Sequence, residues 1–141
     1  MTTNQCAHLI AGGFPPGSAA GHDMDYARLQ LLQKLQFEDQ LTVTVANDFQ
    51  DIERWLPGTD FLLTYVAGPY PEGAGNEALQ TWLEQGGRWF ALHGTSGGKA
   101  VKTEHEGRPV KKMIKAEHHR TLGCFFLNHP PLSEFQVSVT G

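Results

Sequence analysis

The amino-acid sequence predicts an α/β fold with a mostly parallel β-sheet. Short apolar runs alternate along the chain with segments of helical periodicity, which is typical of consecutive βαβ units. The run 89–92 is apolar throughout and is followed by His93 and a glycine-rich turn, as expected of a buried parallel strand that delivers a side chain to a loop. The chain has 141 residues, of which 40% are hydrophobic, and this predicts a single domain over residues 1–141.

The first half of the chain alternates strands and helices. Apolar runs predict strands at 7–11, 41–45 and 61–66. Between the first two, apolar residues recur every third position and predict a helix over 24–36, with Tyr26 and Leu29 facing inward. A short helix is expected within 48–56, where Pro57-Gly58 ends it.

The second half of the chain continues this pattern less regularly. Asn76 is expected to cap a helix that ends at Gly86-Gly87, and the fourth strand follows at 89–92. The stretch 99–122 is poorly patterned and is expected to contain a helix, whereas 134–139 alternates as a last strand.

Composition argues against nucleic acids and membranes as partners. The formal net charge is −4, and no face rich in Lys and Arg is available to neutralise phosphates. The one basic cluster, Lys111, Lys112 and Lys115, is spaced like the solvated face of a short helix. No stretch approaches the roughly 20 apolar residues of a membrane span, and the amino terminus does not resemble a secretory signal, so a cytoplasmic location is expected. Cys6 and Cys124 stand far apart beside apolar residues and are interpreted as buried free thiols.

Loops rich in glycine and proline follow the first, third and fourth predicted strands. Right-handed crossovers would bring the carboxyl ends of these strands to one edge of the sheet, which is where open α/β sheets bind ligands. The loops are 12–23, 67–75 and 93–98. Candidate ligand contacts in them are Gly12, Gly13, Phe14, Gly68, Tyr70 and Gly94. Phe14, Tyr65 and Tyr70 lie at or near strand ends, where an aromatic ring can pack on the apolar face of a sugar.

Three histidines fall at loop ends: His22, which precedes Asp23, then His93 and His129. Imidazole and carboxylate groups are ligands that Zn²⁺ prefers, and three of them around an open position would make a hydrolytic or Lewis-acid site. The same groups without a metal could bind sugar hydroxyls and supply a general acid and a general base. A purely structural interpretation also stands, with His22 capping the helix region, His93 bonded to the backbone and His129 preceding a proline turn.

The turn after His93 reads Gly94-Thr95-Ser96-Gly97-Gly98 and fits the Gly-x-Ser-x-Gly pattern of a nucleophile elbow. In that case Ser96 would attack the substrate, with a downstream histidine as its base. Alternatively, the free backbone N–H groups of the turn bind an anion or a sugar hydroxyl, with Thr95 and Ser96 lining the site. The second interpretation is favoured, because no clear acid-then-histidine order follows downstream.

Further histidines occur at 105, 118 and 119. Adjacent residues on a helix point in different directions, so His118 and His119 cannot easily share one metal, and both are interpreted as surface residues together with His105. His118 or His119 would border the pocket if the segment folded back toward His129.

Several ordered motifs resemble the trehalose-utilisation (ThuA-like) family. They are Gly12-Gly13 followed by His22-Asp23, then Gly86-Gly87 leading into Ala91-Leu92-His93-Gly94, and finally Leu122-Gly123 with Asn128-His129-Pro130-Pro131. The resemblance spans residues 7–139. It implies a flavodoxin-like three-layer fold of the class I glutamine amidotransferase-like superfamily, and a bacterial protein connected with sugar utilisation that acts on oxidised sugars or glycosides.

The resemblance also narrows the expected chemistry. It implies a carbohydrate partner, His93, His22 and Asp23 as acid, base or ligands, and His129 in the wall of the pocket. The related amidotransferases need a cysteine nucleophile, and no cysteine lies near His93, so glutaminase activity is not expected. Family members continue well past the strand at 134–139, so the chain is expected to be a short member or a piece. A second copy of the chain is one candidate to cover an exposed sheet edge.

Overall fold

The computed structural model describes residues 4–14, 22–127 and 133–139. Four parallel strands form its main sheet: β1 (Gln5–Gly12), β2 (Leu41–Ala46), β3 (Phe61–Val66) and β4 (Arg88–Leu92). The strand order is β2-β1-β3-β4. The predicted α/β fold with a parallel sheet is confirmed, and this order is compatible with a flavodoxin-like fold.

Helices flank the sheet: α1 (Met24–Leu35), α2 (Ile52–Trp55) and α3 (Gly73–Glu84). The crossover through α1 runs from β1 to β2 in one direction, and the crossovers through α2 and α3 run in the other. Because parallel crossovers are right-handed, α1 is placed on one face of the sheet, with α2 and α3 on the opposite face.

The hydrophobic core lies between the sheet and the layer formed by α2 and α3. Ile10, Leu62 and Val66 project from the strands and pack against a cluster that contains Leu79 and Trp82. Leu62 and Leu79 are completely buried. Side chains of this size each stabilise the fold by about 1.5–3 kcal/mol when fully buried, so this layer holds β1 and β3 in register.

The opposite face is covered less completely. Tyr26 and Leu29 of α1 were expected to face inward, but their side chains are 60% and 51% exposed, and no residue of α1 is buried. The physical reason is that α1 is the one helix of the described chain on this face, so its flanks remain in contact with water. Phe90 of β4 is also 54% exposed.

The stretch 99–122, which was expected to contain a helix, is mostly a β-hairpin. Strands β5 (Lys99–His105) and β6 (Arg108–Ile114) pair antiparallel, and only α4 (His118–Leu122) is helical. Glu106 and Gly107 have φ of 51° and 73°, which is the left-handed backbone of a two-residue hairpin turn. Lys111 and Lys112 therefore lie on a strand rather than on one face of a helix.

Three smaller expectations are also wrong. Residues 133–139 form no strand: they pair with none of the described strands, and Phe135 is 83% exposed. Asn76 does not cap α3, because the helix begins three residues earlier, at Gly73. Asn76 lies within α3, and its side chain is buried. Cys124 is exposed rather than buried, since it lies in the irregular segment after α4. Among the described helices, none is long and apolar enough to cross a membrane.

Candidate functional site

The loops after β1, β3 and β4 meet at the carboxyl edge of the sheet. Gly13 has a φ of 117°, and a Cβ there would overlap the carbonyl oxygen of Gly68 in the loop after β3. A Cβ on Gly94, after β4, would overlap the carbonyl oxygen of Val66. Glycine at these two positions lets the three loops touch, as the sequence predicted for this edge.

His93 begins a 3₁₀ turn, His93–Ser96, directly after β4. Its backbone is left-handed, with a φ of 49°, a conformation uncommon outside glycine and enriched at Asn, Asp and His. This conformation turns the backbone away from the direction of β4 at His93 itself. Backbone strain of this kind costs on the order of 1–3 kcal/mol, and it persists where the surrounding contacts enforce it.

His93 and His22 form a hydrogen-bonded pair. His93 Nε2 lies 3.1 Å from His22 Nδ1, and the ring centroids are 4.6 Å apart. Phe14 stacks on His22 with centroids 5.8 Å apart, and Tyr65 stacks on His93 at 5.3 Å. The His93 side chain is exposed, while His22, Phe14 and Tyr65 are half-buried. The structure therefore brings together four residues predicted at or after strand ends: Phe14, His22, Tyr65 and His93.

A hydrogen bond between two imidazoles needs one ring nitrogen with a proton and one without. The His22–His93 pair is thus arranged to hold a proton between two groups that can both donate and accept. Both rings reach solvent at the ligand-binding edge of the sheet. The pair can serve as general acid and general base toward a bound molecule.

Asp23 lies next to the pair in sequence, but its described contact is structural. Its carboxylate Oδ1 accepts a hydrogen bond of 2.8 Å from the backbone N–H of Tyr26 and so caps α1. A capping carboxylate accepts a hydrogen bond from a free N–H of the first helical turn, and its negative charge interacts favourably with the positive end of the helix dipole. This cap fixes where α1 starts and, with it, where His22 stands.

Gly12 is held by close packing as well. It is buried, and a Cβ would overlap the carbonyl oxygen of Asn47 after β2. The guanidinium of Arg28 bridges this point, since its Nη2 donates to the carbonyl of Ala11 and to the Asn47 side chain. Arg28 was missed in the sequence, where it reads as an ordinary helix-surface residue. It ties α1 to the ends of β1 and β2.

The side chains of the 93–98 turn do not all reach the edge. Thr95 is fully buried, and its hydroxyl donates to the carbonyl of Thr64 at 3.2 Å. The Ser96 hydroxyl donates to the backbone carbonyl of His93, also at 3.2 Å. The Tyr70 hydroxyl donates to the carbonyl of Gly94 at 2.9 Å, which places Tyr70 beneath the turn rather than in the wall beside His93.

A second pair of histidines lies beneath the turn and was expected at the surface. His118 and His119 of α4 are 0% and 5% exposed. His118 Nε2 is 2.9 Å from the carbonyl oxygen of Thr95, and His119 Nε2 is 3.0 Å from that of Gly97. In the sequence, the one signal for this pair is that two histidines are adjacent. Their burial depends on how the hairpin before them folds the chain back, and the sequence pattern did not predict that hairpin.

Burial perturbs two imidazoles. Desolvation lowers the pKa of His118, opposed by its bond to the Thr95 carbonyl and reinforced by His119. Desolvation also lowers the pKa of His8, whose Nδ1 is 2.6 Å from the Thr44 hydroxyl inside the sheet. Burial raises the pKa of Tyr70, so its hydroxyl stays protonated and can donate to Gly94. These three groups are neutral at pH 7.

The metal hypothesis rested on His22, His93 and His129. His129 lies outside the described residues, as do Asn128 and Pro130. Within 4–14, 22–127 and 133–139, no three His, Cys, Asp or Glu side chains come together as a group able to hold a metal ion. The described part of the site therefore offers two imidazole ligands, His22 and His93.

A cavity of about 650 Å³ lies elsewhere, beside α4. Its walls include Lys115, Glu117, His119, Arg120 and Phe125. It gives a separate location against which binding at the histidine pair can be tested.

Comparison of the chain with models of protein families, with curated proteins and with solved structures gives no significant match in any of the three.

Proposed function

We propose that this protein binds a carbohydrate at the exposed His22–His93 pair and processes it by proton transfer. The observation that carries the proposal is the 3.1 Å contact between the two imidazoles at the carboxyl edge of the sheet, where His93 is exposed and His22 is half-buried. An imidazole pair can bind hydroxyl groups and can move a proton at neutral pH. The motifs shared with the ThuA-like family support a sugar, an oxidised sugar or a glycoside as the ligand, on a class I glutamine amidotransferase-like fold.

The aromatic rings beside the pair support a carbohydrate over a more polar ligand. Phe14 and Tyr65 flank the imidazoles on either side, stacked on His22 and His93 respectively. Sugar rings present apolar C–H faces that pack on aromatic rings, while their hydroxyls need donors and acceptors in the plane beside them. The histidine pair provides those polar groups.

Calorimetric titration with trehalose, glucose and gluconate tests the proposal. We expect at least one of these to bind the unmodified protein, and His93→Ala to weaken that binding by about tenfold or more, the loss of one or two hydrogen bonds. His105→Ala is the matched control, since His105 is an exposed histidine on β5. Equal affinity in the His93 variant, or no heat with any of the three sugars, would contradict the proposal.

Two other functions predict different results. A serine hydrolase acting through Ser96 would be labelled by a fluorophosphonate probe, and Ser96→Ala would abolish the labelling. A non-catalytic interaction subunit would use the exposed apolar surface that includes Phe90, and light scattering would then show a dimer or larger assembly. Labelling at Ser96, or assembly without sugar binding, would replace the carbohydrate proposal.

A further inference from the structure

The buried histidines of α4 contact consecutive carbonyl groups of the turn that begins at His93. His118 Nε2 lies 2.9 Å from Thr95 O, and His119 Nε2 lies 3.1 Å from Ser96 O and 3.0 Å from Gly97 O. Three successive backbone acceptors are thus bound by two side chains.

These contacts determine where the protons are. A carbonyl oxygen only accepts hydrogen bonds, so Nε2 must carry the proton in both His118 and His119. His119 Nδ1 lies 2.8 Å from the backbone nitrogen of Ala116, whose N–H it can accept from, and 2.9 Å from the Ala116 carbonyl oxygen, so only the Nε2 contacts assign a proton in His119. His118 Nδ1 is buried and has no hydrogen-bond partner within the described residues. If Nδ1 also carried a proton, that N–H would be a buried donor without an acceptor, so His118 is held neutral.

Two further contacts complete the support of the turn. Tyr70 stacks on His118 with ring centroids 4.5 Å apart and donates its hydroxyl to the carbonyl of Gly94. The carbonyls of residues 94–97 therefore all accept hydrogen bonds from side chains beneath the turn, those of His118, His119 and Tyr70. A turn with glycines at 94, 97 and 98 has many accessible backbone conformations, and such bonds select one of them.

The short helix that carries the pair is itself fixed to the sheet layer. The Glu117 carboxylate accepts a hydrogen bond of 2.8 Å from the backbone N–H of Gly73, and the Thr121 hydroxyl donates to Asn76 at 2.9 Å. Gly73 and Asn76 belong to α3, which packs in the core. Helix α4 therefore connects α3 to the turn, and the packing of α3 in the core helps to fix where the turn lies.

We propose that His118 and His119 are positioning residues, which hold the 93–98 turn through its carbonyls and thereby set where the His93 imidazole meets His22. The left-handed backbone of His93 fits this role, because a strained residue needs contacts on both sides to keep it in place. The functional importance of that position rests on the proposed function, whereas the positioning itself does not.

The first test uses the unmodified protein. Long-range ¹H–¹⁵N spectra of the imidazoles at pH 7 report which ring nitrogen carries the proton. We expect a proton on Nε2 of both His118 and His119, with His118 in the neutral form. A neutral His118 with its proton on Nδ1 would overturn the proposal, because a bare Nε2 cannot donate to Thr95.

The second test compares two substitutions at one position. His118→Phe keeps a ring of similar size against Tyr70 but removes the donor, whereas His118→Gln keeps an N–H near the place of Nε2. In the Phe variant we expect the Gly97 amide, which donates to Gly94 O at 2.8 Å, to exchange about tenfold faster. The His93 imidazole signals should move as well. The Gln variant should return both close to the original values.

The amide of Ile10, in the core strand β1, is the internal reference. A merely structural role of His118 would speed exchange at Ile10 and at Gly97 equally and would overturn the proposal. If His118→Phe does not fold, Tyr70→Phe removes only the hydroxyl bond to Gly94 and should move the His93 signals in the same way. Because every readout uses the sugar-free protein, failure of carbohydrate binding leaves this test intact.

Discussion

The two histidine pairs of this protein differ in nearly every physical respect. His22 and His93 bond to each other across 3.1 Å, and His93 is exposed. His118 and His119 have ring centroids only 4.0 Å apart, yet each bonds to backbone carbonyls instead of its neighbour. Both pairs attach to one turn, the first at its beginning and the second along its interior.

The difference shows that burial and partners, not residue type, decide what a histidine does here. A buried imidazole bonded to a carbonyl has its proton fixed on the bonded nitrogen, so it serves as a rigid support. An exposed imidazole bonded to another imidazole can donate or accept toward a ligand. Substitutions should therefore affect stability at one pair and binding at the other.

The largest expected effect is on stability, from the double substitution of His118→Ala and His119→Ala. It removes the side-chain donors to Thr95 and Gly97, while Ser96 keeps the backbone N–H of Phe126, and it opens a cavity under the turn, so the free energy of unfolding should fall by about 2–4 kcal/mol. Urea denaturation followed by circular dichroism measures this. The matched double substitution of His22→Ala and His93→Ala should cost less than about 1 kcal/mol, since surface changes are usually small. Equal losses in the two variants would remove the distinction between the pairs.

A smaller effect is expected from pH. His8 and His118 have pKa values lowered by burial, so below the ordinary value of 6.5 the unfolded chain binds protons that the folded chain does not. Their contribution to stability is complete above pH 6.5 and is lost as pH falls toward their folded pKa values. Urea midpoints from pH 7.5 to 5 should decrease, and less steeply in His118→Phe. An unchanged slope in that variant would show that His118 is not the buried neutral group described here.

The smallest effect is expected at the aromatic wall. Phe14→Leu keeps an apolar side chain but removes the ring stacked on His22, so sugar affinity should fall by about fivefold, a typical value for an aromatic contact. Phe37→Leu, an exposed aromatic residue just after α1, is the control and should bind normally. Calorimetry with the sugar that binds best measures both. An undiminished affinity in Phe14→Leu would place the ligand away from this wall.

The sheet was predictable because its signals are local. Strand β3 lies at 61–66 as predicted, since a continuous apolar run between turn residues has one simple interpretation. The hairpin was misread because β5 and β6 are nearly all exposed and carry no apolar period to identify them. The local signal for the hairpin is the Glu106-Gly107 turn, which a glycine at its second position favours.

The site was predictable in part for the same reason. His93 and Gly94 follow from the rule that parallel strands deliver ligand-binding side chains at their carboxyl ends. The contact of His93 with His22 depends on how the loop before α1 folds back, and that of His118 with Thr95 depends on the hairpin. Contacts between residues separated by 23 to 71 positions are tertiary, and no spacing in the sequence encodes them.

The most direct test of the account is one histidine spectrum, recorded on the unmodified protein with and without trehalose, glucose and gluconate. Imidazole ¹H–¹⁵N signals of His22 and His93 should move on addition of the sugar that binds, while those of His118 and His119 keep their Nε2–H form and position. Movement confined to His119, which lines the cavity beside α4, or stationary His22 and His93 signals with all three sugars, would show that the His22–His93 pair is not the ligand site.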